Sequence, residues 1–466
     1  MTRATIVGGG LAGSEAAWQL AARGVPVTLH EMRPARRTEV HRTGDLAELV
    51  CSNSLRSDKL DNAVGLLKEE MRRLGSLVMR VADEVRVPAG AALAVDRERF
   101  ARQITDAVSG HPLVTIVRDE VTTVPPAVPE APVIVATGPL TSPALAAQIA
   151  AFIGQAHLYF YDAVSPIVLA DSLVRERLFR ASRWGRSLRG ADPGPPADEG
   201  SACAAPASGA EDEGDYLNCP LDEAEYGRFY EALVQAERAS LHDLDQARFF
   251  EGCLPIEVMA QRGPDTLRFG PMKPIGLTDP RTGRRPYAVV QLRQDNLAAD
   301  HFSLVGFQTQ LKWGEQARVF RLIPALASAE FVRFGLVHRN TYINAPAVLT
   351  ETWQARPRPG LLFAGQVSGV EGYVESAASG LLAGLSAAAL ASGRQPSAPP
   401  RTTATGALAH YVSHADARHY QPANITFGII APIETDRRLR RDRKARNEAI
   451  AARALEDLAR WTGSLR

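Results

Sequence analysis

Two cysteines stand where a thiol has chemistry open to it. Cys51 lies in ELVCSNSLRSD, a run of Ser, Asn, Arg and Asp that no hydrophobic core would hold comfortably. In such a polar, ligand-facing loop the thiol is expected to be partly ionised, and the thiolate is the reactive form. Cys253 lies in FFEGCLPIEVMA, after a glycine and two residues before Pro255, which points to a sharp, specified turn. For each the alternative is a structural role, because cysteine is among the most buried residue types. Cys203 falls in an acidic low-complexity stretch, and Cys219, in YLNCPLDEAEY, reads as packing. There is no CxxC pair, the histidines are read as lacking ligand spacing, HYVSHADARHY as a polar helix face, and no metal is expected.

A second chemistry is written in the glycines. Gly8, Gly10 and Gly13 form a G-x-G-x-x-G completed by Gly9, Leu11 and Ala12, placed between a predicted strand and a predicted helix. That arrangement lets a pyrophosphate sit on free N–H groups at the helix N-terminus. Glu31 closes the following strand, where its carboxylate can accept from ribose hydroxyls and would repel a 2′-phosphate. A late segment, AGQVSGVEGY, offers Gly365, Gln366, Gly372 and Tyr373 as a second surface. It favours FAD over NAD as the resident dinucleotide, since a flavin ring needs backbone far from the adenosine end.

The elements that must position these groups are legible as short apolar runs. Ala4 to Val7, Val25 to Leu29, Pro132 to Ala136 and Leu361 to Ala364 read as strands, three of them running into glycine. The first two, with the intervening helix, make one right-handed βαβ unit. Recurrence of strand-to-glycine junctions at both ends of the chain predicts an α/β fold, with a Rossmann-like FAD-binding domain built from discontinuous segments and a smaller inserted α+β domain. The expected boundaries are 1–155 and 325–435 for the nucleotide part, 156–324 for the insertion, and 436–466 for a basic C-terminal helix or tail. Residues 190–215 hold seven acidic and no basic residues and are expected to form a disordered loop.

At 466 residues two domains are the natural prior. A net charge of +1 gives no global pull on a polyanion, so any nucleic-acid partner must be held locally. Dense polar segments containing Lys273, Arg293 and Lys312 suit polyanions and stacked heterocycles, or are ordinary polar loops. Residues 435–466, with ten Arg/Lys against five Asp/Glu, form a solvated helix face or an RNA-backbone contact. Neither a signal peptide nor a long uninterrupted apolar run is evident, so a cytoplasmic protein without membrane contact is expected. Oligomeric state is not readable.

Taken together, IVGGGLAGSEAA, LHEMRP, ELVCSNSLRSD, VIVATGPLTS, YLNCPL, FFEGCLPIE, FGPMKPIGL, VQLRQDN, KWGEQ, VHRNTYINAP, LFAGQVSGVEGYVESAASGLLAG and NITFGII resemble one family, the folate- and FAD-dependent tRNA (uracil-5-)-methyltransferases, TrmFO. The related tRNA-modifying flavoprotein MnmG shares the nucleotide segments, but is not expected to combine CSNS with EGCLPIE. The acidic stretch before YLNCPL is an insertion beyond the family pattern.

The resemblance implies methylation of uridine C5 at T-loop position 54 of tRNA, with 5,10-methylenetetrahydrofolate as carbon donor, FAD as relay, and NADH or NADPH as reductant. It implies that Cys253 adds to uracil C6, making C5 nucleophilic, and that Cys51 removes the C5 proton, although the two roles are exchangeable. Lys273, Arg293, Lys312 and the C-terminal arginines would meet phosphate while the target base is extruded. A wobble-uridine modifier like MnmG and a non-catalytic flavin-containing RNA-binding protein are the rival readings.

Overall fold

The computed structural model describes residues 3–38, 40–154, 158–185, 214–239, 254–434 and 442–465, leaving the side chains of 158–161 and 338–339 aside. Cys253, Cys203 and nearly all of the acidic stretch 190–215 lie outside the described residues.

Five parallel strands form the first sheet, in the order Leu361–Phe363, Val133–Val135, Ala4–Val7, Val27–His30, Val114–Val117. The four apolar runs all became strands, and the edge strand Val114–Val117 joins them although it is only half-buried. Ile6 sits between Leu29 and Ile134 in register, so the central strands are buried on both faces, as a parallel sheet requires.

The Leu11–Ala21 helix packs on this sheet and crosses Tyr373–Ala391 at very short range. A Cβ on Gly380 would stand 2.1 Å from the Ala12 carbonyl oxygen, so only a glycine lets the two backbones approach. The Tyr373–Ala391 helix has a mean hydropathy of 1.4, enough to suit a membrane, yet 78% of the apolar stretch is buried inside the protein. Its composition reflects burial on nearly every face.

The chain leaves this layer through Leu158–Ala163 and returns through Val337–Tyr342, two strands that pair antiparallel as a ribbon. Between them lies an antiparallel sheet of six strands, Phe179–Ala181, Tyr216–Leu221, Ala288–Gln294, His301–Leu304, Ile167–Leu169 and Phe331–Arg333. The helices Glu223–Gln235 and Trp313–Phe320 cover it around a separate apolar core that includes Cys219, Phe229 and Phe307. The expected return at 325 moves later, because Phe331 and Arg333 still pair with Val168 and Ile167 of the inserted sheet. At the C-terminus Arg443–Ser464 is a helix whose Ile450, Ala454, Leu458 and Trp461 are buried, so one face of the basic tail belongs to the main core.

Candidate active site

The first strand ends at Gly8, whose φ of +104° is open to glycine alone at low cost. A Cβ on Gly13 would lie 1.8 Å from the Gly8 carbonyl oxygen, so the helix starts directly against the turn. Gly10 caps that helix without any side-chain acceptor, and a Cβ there would meet nothing within 4 Å. The first-turn N–H groups therefore face open space, the condition an anionic ligand satisfies. Tyr373–Ala391 also begins without a side-chain cap, at Gly372.

Between the two helix starts runs an open cleft. Gly8, Gly9, Gly10, Leu11, Ala12, Glu31, Gly365, Gln366 and Tyr373 all line it. Gly13 and Gly372 stand behind its wall, the first permitting helix contact and the second opening the later helix. The uncapped N–H groups, the open floor at Gly10 and the carboxylate at one end fit an extended dinucleotide.

Glu31 is more constrained than the sequence suggests. Its Oε2 accepts from Gly9 N at 2.8 Å, and its Oε1 accepts from Arg33 N and Nε, both at 2.9 Å. Burial works to raise this carboxyl, but the hydrogen bonds and charge of Arg33 outweigh it and hold the group below the usual carboxylate range. A ribose hydroxyl must share an acceptor already fixed by the glycine turn and by Arg33, which is itself only 2% exposed.

Cys51 does not itself line the cleft, but it is fastened to Tyr373, which does. Its N–H donates to the Tyr373 hydroxyl oxygen at 2.7 Å, as does Ser52 N at 3.3 Å, and its Sγ donates to Ala163 O at 3.7 Å. The expectation of a partly ionised thiol is corrected here: burial, with the negative charge of Asp162, pushes the Cys51 thiol up to about 12, against the pull of Arg97 and Arg333. The residue as a whole is half-buried. The polar neighbours that suggested ionisation turn away. Asn53 Nδ2 donates to Val95 O and Gln294 O, Ser52 Oγ accepts from Arg293, and Arg56 pairs with Glu375.

Several groups around Cys51 carried no signal in a single sequence. Arg97 pairs with Asp295 at 2.9 Å. Arg333, 5% exposed, donates to the carbonyls of Val40 and Val50, and burial followed by the charges of Arg97 and Arg42 lowers it to about 10. Glu371, held by Gln366 Nε2 at 2.6 Å, is driven well above the carboxylate range by burial and by Asp162.

Of the three basic residues expected to meet RNA phosphate, Arg293 does not fit. It lies in the fully buried strand Ala288–Gln294, with Nε on Asn53 Oδ1 at 2.8 Å and Nη2 on Ser52 Oγ at 2.7 Å. It therefore ties the inserted sheet to the Cys51 loop. Lys312 is exposed and pairs with Glu237 at 2.6 Å, beside the exposed Trp313. Lys273 is half-buried.

Cys219 is fully buried in the inserted sheet and burial raises its thiol strongly, consistent with packing. Leu254 and Ile256, just after Cys253, are buried, and Ile256 N donates to Gln308 O at 2.7 Å. The reading that no two histidines share ligand spacing is also corrected. His410 and His414 stand four apart on one helix and face Glu351.

Comparison with known proteins agrees with this architecture. The family described as glucose inhibited division protein A matches residues 3–191 and 198–395. GidA of Aquifex aeolicus, in its form II crystal, superposes with a TM-score of 0.68 at 16% identity, over 98% of this chain and 73% of that one, a likeness of fold. The methylenetetrahydrofolate-tRNA-(uracil-5-)-methyltransferase TrmFO of Desulforudis audaxviator is 58% identical over 98% of this chain and 97% of its own. That of Enterococcus faecalis is 52% identical over 99% of each. Since more than half the residues are shared along nearly the whole of both chains, this chain belongs to the TrmFO family.

Proposed function

We propose that this chain methylates C5 of uridine at T-loop position 54 of tRNA, taking its carbon from 5,10-methylenetetrahydrofolate, with FAD in the cleft and NADH or NADPH as reductant. The observation that carries the reading is the bond from Cys51 N–H to Tyr373, which places a thiol-bearing loop against the helix that opens the dinucleotide cleft. When bound, the flavin supplies the one-carbon relay and the hydride that leaves a methyl group.

The protein's own tasks are position and proton control. Uracil C5 becomes nucleophilic only once a thiolate has added to C6, and Cys253 is assigned that addition. Cys51 is neutral at rest, so it must lose its proton before it can take one from C5. Arg97 and Arg333, whose charges both favour its thiolate, are the groups that make this loss possible. Gly8–Ala12 would hold the pyrophosphate by backbone N–H groups, Glu31 would receive the adenosine ribose, and Gly365, Gln366 and Tyr373 would support the ring end.

Folate-dependent C5 methylation is favoured over wobble-uridine modification because relatives 52–58% identical over 97–99% of their own length are named methylenetetrahydrofolate-tRNA-(uracil-5-)-methyltransferases. The test is incubation of unmodified tRNA with methylene-labelled folate and NADH or NADPH. Labelled 5-methyluridine at position 54 is expected, with loss in Cys51→Ala and Cys253→Ala. No label in the tRNA would leave a flavin-containing RNA-binding protein as the better reading, full turnover in both variants would remove the two thiols from the reaction, and label at the wobble position would favour the other enzyme.

A further inference from the structure

Away from the cleft, Glu351, His410 and His414 converge from two elements. Both histidines lie on the Ala404–His414 helix, where a spacing of four sets side chains on one face. Their rings stack with centroids 4.3 Å apart and planes 13° apart. Glu351 Oε1 lies 2.8 Å from His410 Nδ1 and 3.6 Å from His414 Nδ1, and the ligand atoms of the three residues fall within 4.8 Å of one another.

The carboxylate engages one imidazole, that of His410, while His414 Nδ1 lies 3.6 Å from it and 2.9 Å from Ser413 Oγ. If both rings are protonated, two like charges stack face to face. A single divalent cation would serve all three groups at once, and the C-terminal end of the helix, where His414 sits, adds a favourable partial negative charge.

We propose that Glu351, His410 and His414 form a binding site for a divalent transition metal of the zinc class, completed by water. Two imidazoles and one carboxylate suit zinc, cobalt or nickel rather than the all-oxygen preference of calcium or magnesium. Partial exposure of all three residues leaves room for the remaining ligands.

The site would act as a clasp. Glu351 lies in the turn between Thr350 and Gln354, whose backbone bonds to the sheet-edge strand Leu361–Phe363 through Trp353 O and Phe363 N at 3.1 Å. Arg356, in the same loop, donates to Ser413 O at 3.2 Å and already fastens it to the helix end. Metal binding would thus join the Ala404–His414 helix to the strand that runs into Gly365 and the cofactor cleft.

The test uses the full-length protein, freed of metal with chelator and titrated calorimetrically with zinc ion at pH 7.5 and pH 5.5. One equivalent should bind at pH 7.5, weaken at pH 5.5 as protons compete for the imidazoles, and raise the melting temperature. His414→Ala and Glu351→Gln should each weaken binding at least about tenfold, the loss expected from even an outer-shell partner, while keeping the wild-type melting temperature in chelator. His111→Ala, whose ring packs against Trp18 and is not part of the cluster, serves as control and should bind as wild type. Absence of zinc binding at pH 7.5, or equal affinity in both ligand variants, would overturn the proposal; the second result would place the metal elsewhere, for instance on cysteine.

Discussion

Cys51 should be an unusually slow thiol. Burial and Asp162 move it from the ordinary 9.0 to about 12. At pH 8 the thiolate fraction then falls to roughly one in ten thousand, against roughly one in ten for an unperturbed thiol. A thiolate of higher pKa is intrinsically more nucleophilic, and a Brønsted slope of about 0.4–0.5 over three units returns roughly 16- to 32-fold. The net expectation is alkylation by iodoacetamide about 30- to 60-fold slower than an ordinary exposed cysteine. Mass spectrometry of the Cys51 peptide after timed exposure between pH 7 and 11 reads the site separately from the other thiols. The logarithm of the rate should climb by about one per pH unit without a plateau before pH 11. Asp162→Asn removes the second-largest cause while leaving an acceptor for Ala163 N, so it should speed the reaction. A plateau near pH 9 at an ordinary rate, unaltered by that substitution, would refute the account of this pocket.

Other expectations are equally open to measurement. Glu70 is fully buried and accepts from Ala404 N, Thr405 N and Thr405 Oγ1, yet burial raises it to about 7 from 4.5. Its folded form therefore binds more protons than the unfolded one between those values, and stability should fall as pH rises through that window, by about 3 kcal/mol. Urea titrations should show this slope in the wild type and its loss in Glu70→Gln; parallel profiles would contradict it. Gly13→Ala puts a methyl group 1.8 Å from the Gly8 carbonyl oxygen, so it should cost at least about 1–3 kcal/mol and release the cofactor, seen as loss of bound yellow colour on purification. Arg293→Ala should destabilise the fold by about 1–3 kcal/mol by stranding Asn53 and Ser52, and leave the salt dependence of tRNA affinity unchanged. A reduction of that slope by about one would return Arg293 to the RNA surface.

What could be read from the sequence was what depends on neighbours along the chain. The strand, glycine turn and helix at Ala4–Ala21 follow from apolar spacing and from a backbone that only glycine permits, and the late AGQ segment completed the same cleft. Polar residues were misjudged wherever their partners lie far away in sequence. Arg293 looked like a phosphate ligand because Asn53, its acceptor, is 240 positions distant, and the CSNS string looked ionising because its hydrogen bonds to Val95, Gln294 and Arg293 are invisible locally. Arg33 was nearer, two residues after Glu31, and the LHEMRP string held that pairing in plain sight. Val114–Val117 was missed because an edge strand buries too little to show a clear period. His410 and His414 were read as a polar face, since the loop carrying Glu351 is what turns a face into a cluster.

The most direct measurement is a structure of the FAD-loaded protein that locates the isoalloxazine relative to Cys51. The account predicts the ring at the Gly365–Tyr373 end of the cleft with the Cys51 sulfur in van der Waals contact, about 4 Å away. A ring seated at the Glu31 end, or one with the Tyr373 helix between it and that sulfur, would contradict it.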